Sequence, residues 1–137
     1  MAGADLVRRF YDELWNRWDL AVADEILAPD FRFRGSLGAR LVGIEGFRGY
    51  VEEVRAAFPD WHTHLEELIE ARETIVVRLT FAGTHRGELL GIAATGARVS
   101  YAGVAIFRIA GDRIAEAWVV GDTQELWRAL GAIPPAG

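Results

Sequence analysis

"RVSYAGVAIFRIAGDRIAEAWVVGD", residues 98–122, is the stretch on which the fold depends. Apolar and β-branched residues crowd both sides of Ala110-Gly111-Asp112, which reads as a tight turn between two strands, 97–109 and 113–121. Toward the N-terminus the period of two continues through 73–84 and 61–71, so four long strands are expected. Before residue 60 the period changes. Leu6, Val7, Phe10, Tyr11, Leu14 and Trp15 recur at helical spacing and predict an amphipathic helix over 4–17. A short second helix follows Asp19, with Val22, Ile26 and Leu27 inward, and ends before Pro29. Phe31-Arg32-Phe33-Arg34 reads as a short strand, "SLGARLVG" (36–43) as a Gly-rich loop, and Ile44, Phe47, Val51, Val54 and Phe58 as a third helix stopped by Pro59. A last helix runs from about Thr123 to Leu130. Helices first and an antiparallel sheet afterwards make an α+β class, expected as one domain over 1–137.

The bulk numbers exclude several roles. The chain is 51% hydrophobic, with 15 aromatic residues by sum (Trp 5, Tyr 3, Phe 7), an ordered globular composition. A net charge of −5 without a basic stripe argues against nucleic acid as a partner. No stretch approaches the roughly 20 apolar residues that span a bilayer, and the N-terminus lacks the apolar core of a signal peptide. With no cysteine there is no thiolate chemistry, and a cytoplasmic location is expected. Strand 97–109 is apolar on both faces, with Val104 and Ile106 outward, and Ala117 and Val119 extend that outer surface on the next strand. A sheet covered by helices on one side only should be polar on the other, so a homodimer is expected.

Asp122 admits two readings. Plain alternation puts Ile114, Glu116, Trp118, Val120 and Asp122 on one face, which the bulk of Trp118 turns toward the core. A carboxylate there, beside an indole in a partly dry site, is a competent base near neutral pH. Alternatively, Asp122-Thr123-Gln124-Glu125 has the D-x-x-E spacing of a helix cap. Glu116 is not its catalytic partner: six residues along one strand put the two roughly 20 Å apart. His62 and His64 share a polar strand face with Asp60 and Glu66, while Trp61, Thr63 and Leu65 take the other; an H-x-H pair without a third ligand gives no metal site. His85 is the better pocket histidine, or else a loop histidine at the sheet's rim. Arg78 is placed to bind an anionic substrate or to pair with a carboxylate across strands. Tyr11, Trp15, Tyr50, Trp61, Tyr101 and Trp118 are either core or the walls of a pocket for a flat ligand.

"VRRFYDELWNRWDLAVADEILAPDF" (7–31), "FRGYVEEVRAAFPDWHTHLEELIEA" (47–71), "VVRLTFAGTHRGELLGIAATGARVSYAGVAIFRI" (76–109) and "DRIAEAWVVGDTQELWRALG" (112–131) together resemble the SnoaL-like polyketide cyclases. These ester cyclases belong to the nuclear transport factor 2-like superfamily. The resemblance implies a cone of curved antiparallel sheet packed on N-terminal helices. It also implies a pocket that serves many chemistries, and no metal or organic cofactor. In the family an aspartate near the end of the last strand is the acid/base for an intramolecular aldol closure, and Asp122 stands at that position. Two polar partners common in relatives are replaced: Phe33 and Arg34 stand for an Asp-His pair, and Ala117 for a histidine. A fixed cation at Arg34 suits a carboxylate or enolate better than it suits a general acid.

These observations lead to a cofactor-independent cyclase- or isomerase-like enzyme for a small hydrophobic carbonyl compound. Asp122 and His85 would be its catalytic groups, with Tyr11, Trp15, Arg34, Arg78, Tyr101 and Trp118 around the substrate. The alternatives are a non-catalytic ligand-binding or interaction domain of the same fold, or an epoxide hydrolase-like enzyme, whose Asp–Arg–Asp set the sequence does not display.

Overall fold

The computed structural model describes residues 2–132. Helix α1 (Gly3–Arg9) runs directly into a π-helical segment, Phe10–Trp15, and a 3₁₀ turn (Leu20–Val22) leads into the short α2 (Ala23–Ile26). Then come β1 (Leu27–Arg34), β2 (Arg40–Val42), α3 (Ile44–Ala57), β3 (His62–Ala71), β4 (Thr74–Thr84), β5 (Arg98–Ala110), β6 (Arg113–Gly121) and α4 (Thr123–Ala129). The strands form one curved, unclosed six-stranded sheet in the order β2-β1-β6-β5-β4-β3. All neighbours are antiparallel except β1 and β6. This is the expected α+β cone.

The core sits between the helices and the inner face of the sheet. Phe10 stacks on Phe47 of α3 at 5.5 Å between ring centroids and meets Phe107 of β5 edge-on at 5.2 Å. Full burial of each such side chain contributes about 1.5–3 kcal/mol, and ring pairing roughly 0.5–1.5 kcal/mol more. Helix α3 supplies Phe47, Val51, Val54 and Ala57 to this layer, the stripe its sequence period requires. The edge strand β3 is held from across the core by one side chain: Asn16 donates from Nδ2 to the Thr63 carbonyl and accepts from the Thr63 N–H, both at 2.8 Å.

Four expectations change. Leu27 opens β1 rather than ending the second helix. The pairing of β1 with β6 shifts register between Leu27 and Arg32, where Pro29 has no N–H to donate. Part of the expected Gly-rich loop, Arg40–Val42, is a short edge strand on β1. The first helix changes pitch at Phe10, and Asn16 N–H bonds to the carbonyl of Tyr11, five residues back, at 2.8 Å.

The fourth change reverses a face. Ile109 pairs with Ile114 while Arg108 pairs with Glu116, so Ala115 is an extra residue on β6. Beyond that bulge Ala117 and Val119 are buried, while Trp118, Val120 and Asp122 turn outward. The alternation from Ile114 to Asp122 expected from sequence is therefore broken, and Ala117 and Val119 belong to the inner face. Val104 and Ile106 do face outward. By register Ile106 lies between Val76 and Trp118, and Val104 lies beside Val120, so the outer face remains apolar with different members.

Candidate functional site

A narrow cavity, open at one end, lies between the π-helical turn, α3 and the inner face of the sheet. The π-helical turn brings Tyr11 and Trp15 to it, α3 brings Tyr50 and Val54, and the strands bring Trp61, Phe81 and Tyr101. Two glycines make room for the strand rings. Gly103 and Gly121 face each other across β5 and β6. A Cβ on Gly103 would stand 2.3 Å from the Phe81 ring, and one on Gly121 would stand 3.0 Å from the Tyr101 ring and 3.3 Å from Ser36. The rings can therefore lie flat on the sheet. Phe81 stacks on Trp61 at 5.7 Å with 18° between planes.

The chain has three tyrosines, and all three line this space. Burial raises the pKa of each: Tyr11 and Tyr50 well above the ordinary phenol range, and Tyr101 to about 12, with a hydrogen bond to Ser36 opposing the rise. At Tyr50 the neighbouring Tyr101 and the charge of Glu53 add to the effect. The phenols are neutral donors. Ser36 and Thr63 supply hydroxyls, and among the described residues no Asp, Glu, His or Arg lines the cavity. Leu37, Tyr50 and Val54 line both this cavity and a wider vestibule that carries Glu53 and Glu88.

Of the residues singled out in the sequence, the structure brings Tyr11, Trp15, Tyr50, Trp61 and Tyr101 together in the cavity and places Trp118, Arg34, Arg78, His85 and Asp122 elsewhere. Trp118 is 42% exposed on the outer face, with the Arg34 guanidinium 5.1 Å from its ring centroid; Arg34 also donates to the Val119 carbonyl at 2.6 Å. The extra residue Ala115 is the reason Trp118 leaves the cavity. Arg78 pairs with Glu67 across strands at 3.3 Å with both side chains more than half exposed, worth at most about 1 kcal/mol. His85 is fully buried outside the cavity lining, and its Nδ1 accepts from the Thr95 N–H at 3.2 Å and meets the Thr95 hydroxyl at 3.0 Å. Its main chain bonds Ala97 and Gly96, so its geometry is that of a pin for the 85–97 loop. Asp122 is exposed at the N-terminus of α4, where its Oδ1 accepts from the Glu125 N–H at 3.3 Å. It borders a shallow outer groove with Arg78 and Val104.

Tyr50 and Trp61, which the sequence leaves as either core or pocket walls, are walls of this cavity. Ser36 and Thr63 carried weaker signals: a loop position, and one inward place in the alternation of 61–65. Among the described residues, no group of three His, Asp or Glu is placed to hold a metal ion, and no helix is long and apolar enough to cross a membrane.

No curated protein sequence matches the chain. Among solved structures it is similar to TsrD from Streptomyces laurentii, at 32% identity and a TM-score of 0.83 over 95% of each chain. It is also similar to AclR from Streptomyces galilaeus, a proposed hydroxylase, at 26% identity and a TM-score of 0.84 over 98% of this chain and 88% of that one. A SnoaL-like protein from Jannaschia sp. CCS1, 24% identical, shares the fold at a TM-score of 0.88 over 96% and 93% of the two chains. The sequence profile of the SnoaL-like polyketide cyclases matches residues 5–130. With that match across nearly the whole chain, this protein belongs to the SnoaL-like polyketide cyclase family.

Proposed function

We propose that this protein is a cofactor-independent cyclase that closes a ring in a small, flat, polyketide-type carbonyl compound by an intramolecular aldol step. The observation that carries the reading is the aromatic cavity into which all three tyrosines of the chain are gathered as neutral donors. In an aldol closure a proton leaves a carbon flanked by carbonyls, the resulting enolate carbon attacks a second carbonyl carbon, and the new alkoxide takes up a proton. Negative charge develops on oxygen in both halves. Phenol donors fixed in a dry cavity bond more strongly to oxygen as that charge grows, which lowers the barrier. The departing proton needs a base. Glu53, on the vestibule side of Tyr50, fills that role in this proposal, while Asp122 starts α4 and His85 holds its loop. Arg34, Arg78 and Trp118 serve the outer face, which we propose to be the surface of a homodimer.

The test is turnover of an aryl ketone ester bearing a β-diketone side chain, followed by the absorbance of the ring that forms. Tyr101→Phe and Glu53→Gln should each lower the rate by about 10²-fold or more with the melting temperature held. Full activity in both variants overturns the assignment. One observation favours a second reading, ligand binding without catalysis: no carboxylate or imidazole lines the inner cavity. Under that reading the ester binds and is recovered unchanged.

A further inference from the structure

We propose that the Thr63 hydroxyl is the buried anchor for one oxygen atom of the ligand, and that this oxygen belongs to an uncharged carbonyl or hydroxyl group on a flat ring system. The inference rests on the reading of the aromatic cavity as the ligand site. Thr63 lines that cavity and is only 2% exposed, yet its Oγ1 has no hydrogen-bond partner among the described residues. A buried hydroxyl without a partner is costly, and such groups are normally bonded to the main chain nearby. Here the main chain of Thr63 is already occupied, because the Asn16 amide takes both its N–H and its carbonyl at 2.8 Å. That clasp fixes the edge strand, so the side chain cannot leave the cavity by a local rotation of the backbone. In register Thr63 stands opposite Phe81, whose ring is stacked on Trp61. A planar ligand lying along those rings meets the hydroxyl at its edge. Its oxygen must be neutral, because no cation among the described residues lines the cavity and a carboxylate buried there would lack a counter-charge.

Three probes separate the possibilities in the full-length chain: 1-tetralone, a bicyclic ketone; naphthalene, its oxygen-free counterpart; and 1-naphthoate, an anion. Binding is read from the indole N–H signals of Trp15 and Trp61 and by calorimetry. 1-Tetralone and naphthalene should shift both signals, and 1-naphthoate should shift neither. Thr63→Val, nearly the same shape, should weaken 1-tetralone roughly 5- to 10-fold, the worth of one hydrogen bond, and leave naphthalene unchanged or tighter. Thr63→Ser should restore 1-tetralone. The melting temperature of Thr63→Val should be unchanged or raised, because the hydroxyl leaves no protein partner behind. An unchanged preference between 1-tetralone and naphthalene in Thr63→Val overturns the anchor while leaving the cavity as the ligand site. So does a clear fall in its melting temperature, which would give the hydroxyl a structural role. If neither neutral probe moves the two indole signals, the cavity reading falls and the anchor with it.

Discussion

Gly103→Ala is the sharpest test of how the cavity is built. The backbone at Gly103 is that of an ordinary strand residue, so alanine meets no conformational barrier there. By itself the exchange would stabilise the fold by about 0.4–1 kcal/mol, through the entropy removed from the unfolded chain. Packing opposes it. The new Cβ would lie 2.3 Å from Cε2 of Phe81 and 3.1 Å from the Val120 carbonyl oxygen. The ring cannot slide freely, since it is stacked on Trp61 at 5.7 Å and stands 5.2 Å from Tyr101. Overpacking of this kind costs about 1–3 kcal/mol, so packing wins by roughly 1–2 kcal/mol. For a domain of this size that lowers the melting temperature by about 3–7 °C. Circular dichroism melts and urea titrations measure the loss. Phe81→Leu in the same background should recover part of it, with a coupling of at least about 0.5 kcal/mol between the two positions. If Gly103→Ala is as stable as the parent and the two changes simply add, Phe81 does not rest on Gly103, and the glycine account of the cavity is wrong.

Asp122→Asn should keep both stability and turnover, because asparagine caps a helix as well as aspartate; Asp122→Ala should cost about 0.5–1 kcal/mol, and a 100-fold loss of turnover in Asp122→Asn would return that residue to the chemistry. Tyrosine ionisation, followed at 295 nm, should lag behind that of free tyrosine, because Tyr11 and Tyr101 are buried and Tyr50 is half-buried. For Tyr101 the folded pKa of about 12 exceeds the ordinary value of 10.0, so the unfolded chain gives up its proton first and stability falls as pH rises from about 10 to 12. Ionisation near pH 10 with the fold intact would contradict that burial. Val104→Lys with Ile106→Glu should convert the proposed dimer to monomers or insoluble protein, and light scattering that finds the parent monomeric at micromolar concentration would refute the interface. Gly87→Ala should destabilise strongly, since its Cβ would fall 2.2 Å from the Ala56 carbonyl oxygen, where main chain cannot yield; an unchanged melt would refute that contact.

The long elements were legible because each repeats one period for ten residues or so. The strands flanking Ala110-Gly111-Asp112 and the stripe of α3 appear within a residue or two of where their patterns put them. Local departures from a period were not legible. Nothing in the spacing of Phe10, Leu14 and Trp15 distinguishes an α-helical turn from the wider π turn that carries Tyr11 and Trp15 to the cavity. An alanine gives no sign that it is the extra residue of a bulge, and plain alternation therefore puts every side chain after Ala115 on the opposite face. The candidate site suffered most from this, because Trp118 and Asp122 both lie downstream. Tyr11, Trp15 and Tyr101 lie outside that stretch, and all three line the cavity.

The bulge at Ala115 therefore acts as a parity bit for the last strand. Removing that one residue while keeping the pairing of Ile109 with Ile114 would leave Glu116 opposite Arg108 and every later side chain on its present face. Keeping the residue but flattening the bulge, so that Ala115 pairs with Arg108, would turn the second half of β6 over, with Trp118 and the Asp122 carboxylate entering the cavity and Ala117 and Val119 moving outside. A family whose members differ in that bulge can exchange an acidic pocket for a neutral one without altering a single functional side chain. The chemistry open to this fold is then decided by how the strand is paired ahead of the carboxylate as well as by whether the carboxylate is there.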